Sequence, residues 1–149
     1  MLAAAGSVPE CKAVVTVGAP SDVRHITHLL GDRLPQIEAD GEAEVVLAGR
    51  RFTIKRQFLL DAEEQHLMAS IAQLRRALLV MHSPRDDTVD ISNATRIFSA
   101  AKHPKSFISL DTADHLLSAR EDAIYAANLI AAWAVRFLPR LPLELAFGE

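Results

Sequence analysis

The stretch ALLVMHSPRDDTVD, residues 77–90, decides how the rest of the sequence is interpreted. It begins with an apolar run that lacks polar alternation, which is typical of a strand buried on both faces of a parallel sheet. The run then breaks into a histidine, a turn and two adjacent aspartates. A strand that only filled a core would not need titratable groups at its end, so this stretch predicts a functional site as well as a strand.

Two further apolar runs predict strands of the same sheet. They are KAVVTVGAP, residues 12–20, which also lacks polar alternation, and KSFISLD, residues 105–111. Apolar residues at helical spacing lie between and after these runs. Strands that alternate with helices predict an α/β fold built from βαβ units, here with three mostly parallel strands and flanking helices.

Two helices follow from the apolar spacing in the second half of the chain. One covers residues 91–101, with Asp90 or Ser92 available as its cap. The other ends before Pro139 and Pro142, which cannot continue a helix. Its apolar stripe is predicted to be part of the core and consists of Ala123, Ile124, Ala127, Ala131, Ala134, Val135 and Leu138.

Residues 21–65 interrupt the alternation of strand and helix. Ser21 is placed to cap a helix that runs to Leu30 and ends at Gly31. The stretch VVLAGRRFTIK, residues 45–55, then predicts a hairpin with its turn at Ala48 and Gly49. An excursion between two parallel strands lies on the side where ligands bind. Residues 21–65 are therefore predicted to form a helix-plus-hairpin lid within a single domain, residues 1–149.

The composition is that of an ordinary soluble domain: 149 residues, 50% hydrophobic, 23% charged and a net charge of −3. The negative charge and the 5% aromatic content argue against nucleic acid or an anionic membrane as partner. The lone cysteine fits a reducing cytoplasm. The amino terminus does not resemble a signal peptide, and no apolar stretch is long enough to span a bilayer. We therefore expect a cytoplasmic protein.

Two titratable residues are predicted to meet at one edge of the sheet. Asp86 follows one strand and His115 follows the next, and ligands bind outside the carboxyl ends of such strands. An aspartate that accepts the Nδ1–H of an imidazole fixes its tautomer, which leaves Nε2 free to take a proton from a hydroxyl nucleophile. The order of acid before base is the one found in α/β hydrolases.

The sequence resembles the carboxyl-terminal half of an α/β-hydrolase domain. In that family an apolar strand leads into His-Gly-x-x-Asp-x-x-Val, and the next strand leads into a histidine followed by bulky apolar residues. The stretch HPKSFISLDTADHLLS also resembles the serine-hydrolase module that is fused to OsmC-like domains in bacteria. Ser83 replaces the usual glycine, and the matching residues are His82, Asp86, Val89, His115, Leu116 and Leu117.

The resemblance implies a hydrolase of ester, thioester or amide bonds. Asp86 would be the acid of a Ser-His-Asp triad and His115 its base, with Asp87 outside the motif. The substrate would be a small acyl compound, and neither a cofactor nor a metal is implied. In the family the nucleophile lies upstream in G-x-S-x-G, and that motif does not occur in these 149 residues. We therefore expect the chain to begin just past the nucleophile.

The missing nucleophile leaves other interpretations open. The first strand would lack a neighbour, and an unpaired apolar edge is a pairing site, either for the missing amino-terminal half or for a homodimer. The chain could then be a non-catalytic α/β fragment that acts by pairing, or a truncated, inactive product. For Asp86 the alternative is a turn-capping carboxylate, and for His115 a surface position. GAPS, residues 18–21, either lines a substrate pocket or simply leaves its strand.

The remaining candidates have simpler explanations. Cys11 precedes its strand and is predicted to be a half-buried, inert thiol at the amino end of the sheet. His25 and His28 have a spacing compatible with a metal, but a solvated helix face explains them better. Ser21 is predicted to be a helix cap and not a nucleophile. His82 is predicted to make a structural hydrogen bond to a neighbouring loop.

Overall fold

The computed structural model describes residues 2–22, 30–47, 49–64 and 67–139. A short 3₁₀ turn covers Gly31–Arg33. The strands are β1 (Ala13–Val17), β2 (Glu42–Leu47), β3 (Arg50–Lys55), β4 (Ala77–His82) and β5 (Lys105–Ser109). The helices are α1 (Leu2–Ala5), α2 (Leu34–Asp40), α3 (Arg56–Glu64), α4 (Leu67–Ala72), α5 (Ser92–Ala100) and α6 (Arg120–Ala134).

Three parallel strands form the main sheet in the order β1-β4-β5, which confirms the predicted α/β fold. All six residues of β4 are buried, as its apolar run predicts, because β4 is the central strand and helices pack on both faces of the sheet. The prediction that β1 is buried on both faces is wrong. Val14 and Thr16 are buried but Val17 is 38% exposed, because among the described residues no strand covers the outer edge of β1.

Helices cover both faces of this sheet. Side chains that point to one face of β4, among them Leu78 and Val80, pack with residues of α1, α4 and α5. Leu79 and Met81 point to the other face and pack against α6. The alternation of strand side chains therefore divides one continuous apolar run between two cores. No helix in the described parts of the chain is long and apolar enough to cross a membrane.

The last helix buries a different face from the predicted one. The predicted stripe is largely open to solvent: Ile124 is 46%, Val135 68% and Leu138 57% exposed, and the helix ends at Ala134. This helix is apolar on nearly every side, so its periodicity alone cannot select the buried face. The residues that pack on the sheet are one position out of step with the predicted stripe: Ala126, Leu129, Ile130 and Trp133.

The insertion between β1 and β4 contains the predicted hairpin, which begins three residues earlier than expected, at Glu42. Its first residues alternate between exposed glutamates and buried apolar side chains, a period-2 pattern that extends the strand. Ala48 in the turn and residues 23–29 of the predicted helix lie outside the described residues. The insertion has its own apolar cluster, formed by Leu30, Ile37, Ala43, Val45 and Leu59.

Candidate active site

Two loops at the carboxyl ends of β4 and β5 carry the acid and the imidazole. The parallel pairing of these strands brings both loops to the same edge of the sheet. There Asp86 Oδ2 lies 2.8 Å from His115 Nδ1. Since an ionised carboxylate has no proton to give, Nδ1 carries the hydrogen and donates it. The structure thus brings together two residues that are 29 positions apart in the chain.

The carboxylate of Asp86 is fully engaged by its surroundings. Its side chain is only 2% exposed, and Oδ1 accepts hydrogen bonds from the backbone N–H of Thr88 at 2.9 Å and of Val89 at 2.8 Å. Burial raises the pKa of Asp86, but the hydrogen bonds from His115, Val89 and Thr88 together outweigh burial and bring the pKa below its ordinary value. Asp86 is therefore held ionised in a fixed orientation.

His82 is hydrogen-bonded to the loop that carries Asp86. Its ring is completely buried, and Nε2 lies 2.7 Å from the carbonyl oxygen of Val89. A carbonyl can only accept, so Nε2 carries the proton, and Nδ1 has no hydrogen-bond partner among the described residues. Nε2 also lies 3.5 Å from Asp86 Oδ2. The predicted structural hydrogen bond of His82 is thus confirmed, and the spacing of His82, Asp86 and Val89 follows from one closed set of contacts.

Ser83 links the acid loop to the base loop. Its buried hydroxyl donates to the carbonyl oxygen of Asp111 at 3.1 Å and accepts from the backbone N–H of Arg85 at 3.1 Å. Asp111 has a φ of +46°, a conformation that is uncommon for any residue but glycine. The serine that replaces the expected glycine therefore joins the two loops across the end of the sheet.

A turn around Asp114 presents His115. Asp114 Oδ1 accepts hydrogen bonds from the backbone N–H of Leu116 at 3.1 Å and of Ser118 at 2.8 Å. Hydrogen bonds from Ser118 lower the pKa of Asp114. The neighbouring carboxylate is therefore used by the turn, and it is Asp86 that contacts the imidazole.

One ring nitrogen of His115 is hydrogen-bonded to Asp86, and the other is available to a further group. Its side chain is 23% exposed, and Nε2 makes no hydrogen bond to any residue that the structure describes. A neutral imidazole that is protonated at Nδ1 has an acceptor lone pair at Nε2. This arrangement can take a proton from a hydroxyl group or a water molecule that approaches from solvent.

For Gly18 the sequence left open whether it lines a pocket or simply leaves its strand, and its contact with the acid–imidazole pair was not predicted. A Cβ at this position would lie 3.1 Å from Asp86 Oδ2 and 3.2 Å from His115 Nδ1. The backbone at the end of β1 therefore lies directly against the acid–imidazole pair. The available signal was a glycine at the carboxyl end of a strand of the same sheet, which is where a close backbone approach occurs.

The other sequence candidates lie away from this pair. Asp87 is exposed and accepts a hydrogen bond from its neighbour Thr88 at 3.2 Å. Cys11 is partly buried, ahead of the first residue of β1, with its Sγ 3.6 Å from the carbonyl oxygen of Ala13. It thus lies at the amino end of the sheet, as predicted.

Ser21 and the pair His25 and His28 are the remaining candidates from the sequence. Ser21 is buried, and its hydroxyl donates to Asn93 Oδ1 at 2.9 Å, so Ser21 ties the end of β1 to α5. His25 and His28 lie outside the described residues. Among the residues that the structure does describe, no group of three or more histidine, cysteine, aspartate or glutamate side chains is arranged to hold a metal ion.

An apolar groove lies along β1, away from Asp86 and His115. It has a volume of about 260 Å³ and runs between α1 and the first residues of β1. Nearly all of its surface is apolar, so it offers few groups that would orient a polar substrate. Its lining includes Ala4, Ala5, Val8, Cys11, Val14 and Val15.

Comparison with solved structures identifies the fold. The esterase domain of a Rhodothermus marinus protein is 51% identical over 91% of this chain and 56% of its own, with a TM-score of 0.82. Alpha/beta hydrolase domain-containing protein 10 from mouse is 20% identical over 93% of this chain and 58% of its own, with a TM-score of 0.66. The monoacylglycerol lipase of Paleococcus ferrophilus is 15% identical over 92% of this chain and 64% of its own, with a TM-score of 0.64.

The similarity extends over most of this chain but only part of each relative. No protein-family model and no curated protein matches the sequence. The chain spans somewhat more than half the length of the solved structures it matches. It therefore has the fold of part of an α/β-hydrolase domain, and the acid–imidazole pair lies at the carboxyl ends of its parallel strands.

Proposed function

We propose that this chain carries the acid and the base of a serine hydrolase that acts on ester, thioester or amide bonds. The observation that carries the proposal is the 2.8 Å contact between Asp86 Oδ2 and His115 Nδ1, with Nε2 of the same ring open to solvent. Asp86 would be the acid that orients the ring, and His115 the general base. The 51% identity to an esterase domain supports the same reaction class.

In this mechanism Nε2 takes the proton of a serine hydroxyl as the oxygen attacks the acyl carbon. The proton then passes to the leaving group, and the ring next activates the water that releases the acyl group. Asp86 stabilises the imidazolium throughout, and its own hydrogen bonds keep it in place. A G-x-S-x-G motif is absent from the 149 residues, so the nucleophile and the oxyanion hole would come from a segment that pairs with β1.

The test uses the native protein isolated from its own cells. A serine-reactive phosphonate should label a serine outside these 149 residues, and peptide mass spectrometry identifies its position. Asp86→Asn should lower kcat for a p-nitrophenyl ester by about 10⁴-fold, because it removes the group that fixes the tautomer. Asp87→Asn is the matched control and should change kcat little, since its carboxylate is exposed.

Three results would count against this proposal. A labelled serine within the 149 residues would contradict the missing nucleophile, and equal losses in the two aspartate variants would contradict the choice of acid. Absence of both labelling and ester hydrolysis in the native protein would contradict the hydrolase itself. The intact mass gives an independent reading, since these residues account for 16.3 kDa and an added segment must raise it.

A second candidate function is a non-catalytic α/β module that acts by pairing with another chain. The supporting observation is the outer edge of β1, which no described strand covers and which adjoins the 260 Å³ apolar groove. Exposed strand edges of this kind accept a further strand, either from an amino-terminal half supplied separately or from a second copy.

A lysine substitution on each of the two edge strands tests this second function. Val17→Lys places a charge on the edge strand β1, and Phe107→Lys places one on the opposite edge strand, β5. If pairing uses the β1 edge, Val17→Lys should lower the mass measured by analytical ultracentrifugation, and Phe107→Lys should not. A monomeric wild-type protein, or an equal effect of both variants, would contradict pairing through β1.

Residues 21–65 would form the lid that sets the acyl specificity. They leave the sheet between the strands that lead to Gly18 and Asp86, and they contain their own apolar cluster. Phe52, which is 44% exposed, is the largest exposed apolar side chain on the hairpin. Phe52→Ala should change the ratio of kcat/KM for long and short acyl esters, and an unchanged ratio would contradict a lid.

The proposed function includes fusion to an OsmC-like domain and a location in the cytoplasm. The stretch 103–118 resembles the hydrolase module fused to OsmC-like domains, and the single cysteine suits the cytoplasm. Mass spectrometry of the native protein should then find OsmC-like peptides in the same chain, and fractionation should find the protein in the cytoplasm. A native mass of 16.3 kDa would contradict the fusion.

A further inference from the structure

We propose that Gly18 is a positioning residue for the acid–base pair: the bare backbone at the end of β1 forms the wall against which Asp86 and His115 meet. The proposal deepens the proposed hydrolase, on which its functional meaning rests. It goes beyond the two side chains because Gly18 contributes no functional group of its own. It acts by leaving a space unfilled.

The position of the Gly18 backbone is fixed by the sheet. Its N–H donates to the carbonyl oxygen of Met81 at 3.0 Å, which continues the β1–β4 pairing one step beyond Val17. Met81 is only five residues before Asp86. The strand that carries Gly18 is thus held to the strand that leads into the acid loop, and the backbone of Gly18 cannot easily move away.

The first side-chain carbon at this position would press against both atoms of the hydrogen bond. The first carbon would lie 3.1 Å from Asp86 Oδ2, 3.2 Å from His115 Nδ1 and 3.3 Å from His115 Cε1. The first two of these atoms are the acceptor and the donor of the 2.8 Å contact. At such distances a neighbouring atom must shift by a few tenths of an ångström.

The imidazole is the partner that would have to yield. Asp86 is anchored through Oδ1 by the backbone N–H groups of Thr88 and Val89, and its side chain is almost fully buried. His115 is 23% exposed, and its only hydrogen bond within the described residues is the one to Asp86. Added volume at Gly18 would therefore push the ring away from the carboxylate toward solvent.

Backbone conformation also favours glycine here. Gly18 has a φ of +56°, which strains residues with a Cβ, although asparagine tolerates it better than most. Gly31 offers a matched control, since its φ is +46° and a Cβ there would meet no atom within 4 Å. Gly31→Ala therefore introduces comparable backbone strain without touching the site.

The tautomer of His115, read by long-range ¹H–¹⁵N NMR of the selectively labelled protein at mildly alkaline pH, tests the proposal. Wild type should show the Nδ1–H form that the contact to Asp86 selects. Gly18→Ala should shift the ring toward the Nε2–H form, as should Asp86→Asn, the positive control. Gly31→Ala should keep the wild-type spectrum. This readout needs no substrate, so it stands whether or not the protein proves to be a hydrolase.

Gly18→Asn decides the case in which Gly18→Ala fails to fold, because asparagine relieves the backbone strain but still adds a Cβ. A tautomer shift in Gly18→Asn supports the proposal. A wild-type tautomer in either folded Gly18 variant would overturn it. Loss of the fold in both Gly18 variants, with Gly31→Ala intact, would also overturn it, since Gly18 would then serve the fold and not the pair.

Discussion

The carboxyl end of β4 and the outer edge of β1 belong to the same sheet but differ in how completely they are satisfied. Beyond β4, both carboxylate oxygens of Asp86 accept hydrogen bonds and the side chain is 2% exposed. Along β1, Val17 is 38% exposed, and no described strand uses the backbone groups of the outer edge. The described hydrogen-bond partners of the Asp86 carboxylate all lie within residues 88–115, whereas the outer edge of β1 has no strand partner among the described residues.

The same contrast separates the two sides of α6. The side that faces the sheet packs against β4, and the opposite side exposes large apolar residues, including Ile124 at 46% and Tyr125 at 50%. Whether an apolar surface is covered therefore depends on its position relative to the sheet and not on its composition.

Removing the carboxylate of Asp86 should have the largest effect on stability. Asp86→Ala leaves the N–H groups of Thr88 and Val89 without their acceptor, and each unsatisfied buried group costs about 1–3 kcal/mol. We expect the free energy of unfolding in urea to fall by about 3 kcal/mol. Asp87→Ala is the control and should change it by less than about 0.5 kcal/mol, because that side chain is exposed. Equal losses would show that Asp86 is not the anchored carboxylate.

Acid should remove the same contribution from the wild-type protein. The pKa of Asp86 is lowered in the folded state, so its ionisation stabilises the fold at every pH above the ordinary value of about 3.9. That stability is lost as the pH falls below this value and through the folded-state pKa. The difference between wild type and Asp86→Ala, measured by urea unfolding, should therefore narrow in strong acid. A gap that stays constant from neutral pH to pH 2 would contradict a lowered pKa.

Valine truncation in neighbouring strands should separate the buried strand from the edge. Val80 in β4 is 1% exposed, and Val17 in β1 is 38% exposed. Val80→Ala should destabilise the protein by about 2 kcal/mol, because burial of a valine contributes roughly 1.5–3 kcal/mol and its loss leaves a cavity. Val17→Ala should cost less than about 0.5 kcal/mol. A large loss from Val17→Ala would mean that another surface covers this edge in solution.

Removing the hydrogen bonds that join the two loops of the site should have the smallest effect on stability. Ser83→Ala removes the hydroxyl that joins Arg85 and Asp111, and we expect a loss of about 1 kcal/mol in thermal or urea unfolding. Ser109→Ala is the control, since its hydroxyl accepts the exposed N–H of Asp111 and should contribute less. A Ser83→Ala variant as stable as wild type would show that the loops are held by the strands alone.

Sequence reasoning succeeded where the decisive contacts are close along the chain. The β4 run, the following loop and the β5 run each have strong local patterns, and parallel pairing then brings Asp86 and His115 together. It failed for α6 because an apolar helix has no distinct polar face to set its orientation. It left two alternatives open for Gly18, pocket lining or a plain strand end, because nothing local indicates that a strand end 68 residues upstream packs against the acid.

Local sequence patterns were enough to predict the α/β class and the two loops that carry the site and to show that no G-x-S-x-G motif is present, because periodicity and motif spacing are local properties. The tertiary structure was needed to show which face of α6 is buried and that the backbone of Gly18 lies against the 2.8 Å contact. The expected open edge of β1 is present in the described part of the chain. These features depend on which elements become neighbours in space. Neighbours are selected by packing over the whole molecule, to which no single stretch of sequence has access.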